Sequence, residues 1–515
     1  MSATPPPQEA LMRTRWRARH VLAHQDGGHA LLRDGEVVWQ DDTVIHVGPR
    51  DGGFDGEVDE ERDLGESLVM PGLIDLDALT DVDHLVLDSW AGPERGKGLQ
   101  WSLDYFTHRR HDVFTPRERA TIREYALAQL ALHGITTFMP IASEVHSRWA
   151  EPYDELVDMA ATARRIGLRG YLGPAYRSGV NVVLPDGTRD VALDEEEGRA
   201  GLRDAVRFLD HLDELNDPLL TGVLLPCRIE TLTEELLGET ARVARERGSL
   251  IRLHALQGLA EREIVQRRHD GLTPLQLLDK HGLLNPNLLI PHTVLLDRHP
   301  AIHGEDRGDL ALLAASGVSV IHCPQTSLRY GEMLHSFRAY REAGVNLCLG
   351  TDSFPPDLIR GMDVGVHLAK IAEGRSDAAP AEHYVEAATL GGARALGRAD
   401  LGRIAIGAQA DLVAFSLDDV RDGVMDDPVR TFLLNGTARQ ATNSVVAGNP
   451  VLVDGALPGT DLSRLARSAQ ALFERMRAAY SERDTERRDT GTLFPPTFPA
   501  FRAPGFPAPE SESPA

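Results

Sequence analysis

GVSVIHCP (residues 317–324) and GVNLCLGTD (residues 344–352) are two short apolar runs, each opening at a glycine and each carrying a reactive polar group near its end, His322 and Asp352. A segment of helical length lies between them. Apolar runs of four to eight residues bounded by turn residues read as strands buried on both faces. Two such strands joined by a helix make a parallel βαβ unit. Upstream the same unit recurs, in LVMPGLID (68–75), ITTFMPI (135–141), LRGYLGPA (168–175), GVLLPC (222–227), LIRLHA (250–255) and LLIPHT (288–293), which brings the strands to eight. Segments between them, such as 118–134, carry the 3.6-residue period of a helix. Thr115-Pro116-Arg117-Glu118 reads as a capping box with proline at the first helical position. Eight β-then-α units in about 330 residues predict a (β/α)8 barrel, the TIM barrel, with chemistry at the C-terminal strand ends.

Outside that run the pattern changes. HALLRDGEVVWQDDTVIHVGP (29–49) alternates apolar and polar residues around an Asp-Gly turn, as strands of a hairpin do. Similar material returns in GRIAIGAQADLVAFSLDD (402–419) and NSVVAGNPVLVDG (443–455). The two flanks are expected to pair as one small composite β-sandwich. The predicted order is a disordered start (1–13), the first part of the composite domain (14–70), the barrel (71–401), the second part (402–457), a C-terminal helix (458–485) and a loose proline-rich tail (486–515).

Composition narrows the function. The formal charge of −24 repels phosphate backbones and anionic lipid, so nucleic-acid and membrane-surface binding are not expected. No apolar run approaches the roughly 18–20 residues of a membrane span, and residues 1–13 lack the apolar core of a signal peptide. Three cysteines, Cys227, Cys323 and Cys348, give no disulfide framework, and a reducing cytoplasm is the expected compartment.

The polar residues at the strand ends carry the chemistry. Strand five ends in His254, strand six in His292, strand seven in His322 and strand eight in Asp352. One such histidine is commonly a hydrogen-bonded core residue; three with a carboxylate on successive strands form a candidate site. Neutral imidazole plus carboxylate suits Zn²⁺ or a similar metal. Near strands three and four, Tyr176, Arg177 and Arg228 are candidates for substrate binding. Guanidinium groups there would hold an anionic substrate, or else make structural ion pairs. A long loop, 85–114, with Trp90, Arg95, Lys97, Trp101 and Arg109, reads either as a lid or as packed surface.

LVMPGLID, HGITTFM, LHALQ, PHTVLLD, IHCPQTS and LGTDS, followed by TLGGARALG and GRIAIGAQADLVAF, occur here in one order. In this the chain resembles the amidohydrolase superfamily, in its branch of triazine hydrolases and nucleobase deaminases, over about residues 20–455. The resemblance implies a barrel with a composite β domain, and hydrolysis of C–N or sometimes C–halogen bonds in small cyclic or amide substrates by metal-activated water. It implies His254 and Asp352 as metal ligands, His292 as ligand or partner of substrate and water, and Asp352 also as proton acceptor. His322 matches a position whose role in the family is less uniform. It also implies self-association, as a homodimer.

Two departures stand out. The family's x-His-x-His after PGLID is replaced by Asp77 and Leu79, and its glutamate three residues after the strand-five histidine is Gln257. Leucine ligates nothing and an amide exchanges no proton near neutrality, which leaves Gln257 as a substrate contact. One divalent ion on His254, His292 and Asp352, with Asp77 as fourth ligand, is one reading; the extra carboxylate shifts preference from Zn²⁺ towards Mn²⁺ or Fe²⁺. A metal-free hydrolase, with Asp352 activating water beside His292, is another, and a small-molecule-binding relative without turnover is a third. Asp81, Asp83 and His84 either rebuild a ligand set or are ordinary turn acids.

Overall fold

The computed structural model describes residues 12–51, 53–83, 101–141, 147–435, 440–499 and 501. His84, Trp90, Arg95 and Lys97 lie outside the described residues, as do the first eleven and the last fourteen of the chain.

Four parallel strands, Leu73–Leu79, Ile135–Ile141, Arg169–Leu172 and Leu220–Gly222, neighbour one another in chain order. Four more, Ile251–Arg252, Leu288–Pro291, Ser319–His322 and Asn346–Leu349, do the same. Backbone bonds join the two sets. Arg252 N–H donates to Leu224 O at 3.0 Å, and Asp352 N–H donates to Asp77 O at 2.8 Å, bringing strand eight back to strand one. At that seam glycine is required: a Cβ on Gly350 would sit 2.5 Å from the Cβ of Asp77. The result is the closed eight-stranded barrel.

Period-2 alternation explains why every strand is apolar throughout. Leu289, Ile321 and Cys348 point inward and pack with Ile74, Met139 and Val223. Their neighbours Leu288, Ile290, Val320, Leu347 and Leu349 point outward into the core shared with the helices. Helix Pro116–Leu132 begins at the capping box read in the sequence: Glu118 N–H donates to Thr115 Oγ1 at 3.4 Å and Thr115 N–H to Glu118 Oε2 at 2.8 Å.

The flanking segments pair as anticipated. By hydrogen bonding they form one eight-stranded sheet, in which strand Leu412–Ser416 lies antiparallel to Ser67–Pro71 and the long hairpin Arg13–Gln25/Gly28–Gln40 continues it. Its core is Trp16, Val37, Trp39, Val69 and Leu412. Only Gly72 separates this sheet from barrel strand one.

Helix Leu462–Arg483 delivers Met476 and Tyr480 to a third core, with Leu79, Trp101, Tyr105, Phe114 and Phe354, over the end of strand one. The tail, expected to be loose from residue 486, is packed as far as Phe494. Leu493 and Phe494 are buried, and the Phe494 ring meets Tyr480 edge-on at 5.1 Å. A one-turn helix, Thr490–Leu493, sets both side chains against this core before Pro495 and Pro496.

Candidate active site

Alternation along strand five puts Arg252 and His254 on the inner face, between the outward Ile251 and Leu253. His254 Nδ1 lies 3.0 Å from the Cys227 carbonyl, which can only accept, so Nδ1 carries the proton. Its Nε2 lies 3.3 Å from Asp77 Oδ2 and makes no hydrogen bond. His292 follows strand six with φ +69°, and its ring lies 5.3 Å from that of His254. Its Nε2 is buried, makes no hydrogen bond, and stands 3.4 Å from Asp352 Oδ2. Burial, then the neighbouring His254, pushes His292 well below the usual histidine range, so it is neutral at pH 7. One donor atom each from Asp77, His254 and His292 lie within 4.8 Å of one another.

Backbone conformation aims these groups. Leu256, His292, Thr293 and Asp352 all have φ between +38° and +69°, a left-handed conformation that is costly for residues with side chains and clusters at functional sites. Asp75 fastens the seam: Thr351 donates to it from N–H at 3.0 Å and from Oγ1 at 2.7 Å. Burial raises the Asp75 carboxyl to about 7 despite those bonds.

Asp77 was anticipated as a ligand, but its surroundings were not. Arg252 Nη1 lies 3.0 Å from Asp77 Oδ1 and donates to the Pro140 carbonyl at 2.7 Å. Burial opposes ionisation of Asp77, yet His254 and Arg252 hold its carboxyl well below the usual carboxylate range. The thiol of Cys323 donates towards Asp77 Oδ2 at 3.6 Å. Arg252 was legible in principle, because it sits two residues before His254 and must share its face.

Other candidates separate from this cluster. His322 shares parity with Val320 and Leu349 and therefore points outward, against Phe337 at 5.8 Å and Tyr384 at 6.0 Å. Burial drives it to about 3. Adjacent Cys323 takes the inner face instead, so the strand end that looked like an imidazole presents a thiol. Tyr176 points into the helix layer, with Oη 2.9 Å from Thr240 Oγ1. Arg177 is buried and donates to the Trp149 carbonyl. Neither lines the mouth. Asp81 belongs to a buried network around Arg123, which also binds Glu151 and Glu155, each at 2.7 Å.

Gln257 and Arg228 do line a cavity of about 370 Å³ at the mouth, with Trp101, Asn181, Glu230 and Glu261. Arg228 Nε donates to Glu230 Oε1 at 2.9 Å. Glu261 accepts from the N–H groups of Leu256 at 2.6 Å and Gln257 at 3.0 Å, and so ties down the loop after His254. Nothing in the sequence marked Glu261, which looks like one more surface acid on a helix.

An eight-stranded parallel barrel with buried imidazoles and carboxylates converging at its C-terminal end defines a hydrolase whose site can hold a metal ion. Residues 68–451 match the amidohydrolase family, and the chain belongs to it. A 5-methylthioadenosine/S-adenosylhomocysteine deaminase from Halobacterium salinarum is 29% identical over 451 residues, 86% of this chain and 94% of that protein. Among solved structures, a zinc-bound adenosine deaminase from Xanthomonas campestris superposes with a TM-score of 0.71 at 23% identity, covering 90% of this chain and 99% of the other. The zinc complex of an atrazine chlorohydrolase from Arthrobacter aurescens gives 0.72 at 20%, covering 89% and 100%. The protein is an amidohydrolase-superfamily hydrolase.

Proposed function

We propose that this enzyme hydrolyses a C–N bond of a small cyclic substrate, as a deaminase or cyclic amidohydrolase, with one divalent ion held by Asp77, His254 and His292 and bordered by Asp352. Two buried imidazole nitrogens free of hydrogen bonds, facing a carboxylate, are a fitting donor set. Such an ion supplies a water acidic enough to lose its proton near pH 7. Asp352, 3.4 Å from His292 Nε2, takes that proton and returns it to the departing nitrogen. His292, neutral through burial, steadies the charge that develops on the attacked ring. Gln257 and Arg228 bind and orient the substrate in the cavity beside them. A reducing cytoplasm suits the three free cysteines.

One observation carries this reading: groups from strands one, five, six and eight meet at one point. The test is release of ammonia from a panel of adenosine-type nucleosides, heterocyclic amines and cyclic amides, with zinc content measured on the same samples. Asp352→Asn should lower kcat by 10²-fold or more while keeping the metal. A variant equal to wild type in both rate and metal content overturns the proposal. The Arg252–Asp77 ion pair favours a second reading, a metal-free hydrolase in which Asp352 and His292 act alone; full activity after exhaustive chelation would establish it.

A further inference from the structure

Arg252 places a full positive charge inside the barrel, 2% exposed, beside a carboxylate that is itself completely buried. The two oxygens of Asp77 are divided between two partners. Oδ1 faces the guanidinium at 3.0 Å, and Oδ2 faces Nε2 of His254 at 3.3 Å. On the far side, among the described residues, Arg252 bonds to the carbonyls of Pro140, at 2.7 Å, and Met139, at 3.5 Å. Among the described residues its ion-pair partner is Asp77, which is also the one anionic member of the three-residue group, while buried Glu151 feels its charge from farther away.

We infer that Arg252 is a resident counter-cation: it neutralises Asp77 while the metal site is empty and competes with a divalent ion for that carboxylate when the site fills. The inference rests on reading Asp77, His254 and His292 as a metal triad. A buried carboxylate without a partner is costly, so a barrel whose ligand set contains one needs a positive charge to fold before metal arrives. The imidazoles in the same group need none. Histidine at position 77 would have required no such partner, and aspartate there does. The cost falls on affinity: a fixed positive charge within a few ångströms of a dication, in a low-dielectric interior, repels it strongly. The fold is thereby made tolerant of metal loss, and the ion is made exchangeable.

The experiment compares wild type with Arg252→Met, Arg252→Gln and Arg252→Lys, each stripped of metal and then titrated with zinc against a chromophoric chelator. Melting temperature is recorded with and without zinc. Both neutral variants should bind zinc at least tenfold more tightly than wild type. Both should melt lower than wild type when metal-free and regain most of that loss when zinc is added. Arg252→Lys, which keeps the charge, should stay near wild type in affinity. Arg252→Gln covers the case in which the methionine variant cannot fold, since its amide can still donate to the Pro140 carbonyl. Neutral variants that bind zinc no more tightly than wild type overturn the inference. So do neutral variants that fail to fold even with zinc, because Arg252 would then be holding the barrel wall. Wild type that takes up no zinc while Arg252→Met does would retire the metal-dependent reading of the native enzyme and leave the counter-cation in place.

Discussion

Glu261 holds its carboxyl in the wall of the cavity, and burial, reinforced by nearby Glu230, raises it to about 8. The folded protein therefore keeps a proton that the unfolded chain releases above about pH 4.5. The stability it gives is complete below that value and is lost as pH rises through about 8. Melting temperature should fall between about pH 4.5 and 8, and Glu261→Gln should flatten that fall; an unchanged slope would assign the loss to other groups. His322 acts on the opposite side. Burial lowers it to about 3, so its contribution is present above about 6.5 and disappears as pH drops towards 3. His322→Phe, which suits neighbours Phe337 and Tyr384, should make the protein more resistant to acid unfolding. The sequence exposed His254, His292 and Asp352 because each ends an apolar run. It misassigned His322, because parity along a strand is invisible until the strand's register is fixed. Arg252, whose parity with His254 was there to read, and Glu261 were passed over for a different reason: charged residues are by default read as surface, and these two are inside.

Helix Pro116–Leu132 and helix Leu462–Arg483 lean together over the end of strand one, and the segment that follows the second helix closes the gap with Phe494. Tyr480 lies between Phe494 at 5.1 Å and Trp101 at 4.9 Å, and Trp101 reaches the cavity. A residue some 400 positions from the barrel's first strand thus supports the wall of the cavity beside Gln257. Phe494→Ala should cost about 3 kcal/mol by denaturant unfolding. It should also raise KM more than it lowers kcat, since the groups around Asp352 are untouched. Equal KM values would show that the docked tail serves stability alone. The capping box was readable because its spacing is local. The docking of Phe494 was not, because its partners come from three distant segments and no local pattern encodes such a contact.

At the scale of the whole chain, the barrel was legible in eight repeated apolar runs, and the pairing of the flanks in their common hairpin texture. What the sequence did not show is how firmly the two bodies are joined. Arg169, at the start of barrel strand three, reaches across to Asp411 in the sheet with two bonds, Nε to Oδ2 at 2.9 Å and Nη2 to Oδ1 at 3.1 Å. Both side chains are buried, and Asp411 Oδ1 also accepts the Ala447 N–H at 2.7 Å. Gly72 N–H adds a backbone bond to Asp411 O at 2.9 Å, directly at the junction of sheet and barrel. Asp411 is therefore held at once by strand three, by the sheet's own turn and by the start of strand one. A sheet assembled from both ends of the chain has no independent loop to detach, and its central strand runs straight into the barrel. Sheet and barrel should accordingly unfold in one cooperative transition. Arg169→Ala leaves a buried carboxylate without its cation, and should lower stability by about 3–5 kcal/mol while keeping a single transition in calorimetry. With Trp90, Trp101 and Trp149 replaced by phenylalanine, tryptophan fluorescence sharpens the test, because Trp16 and Trp39 then report on the sheet alone. If their transition separates from that of the barrel helices in circular dichroism, the sheet folds as an autonomous unit and the Asp411 junction is not what binds the two bodies.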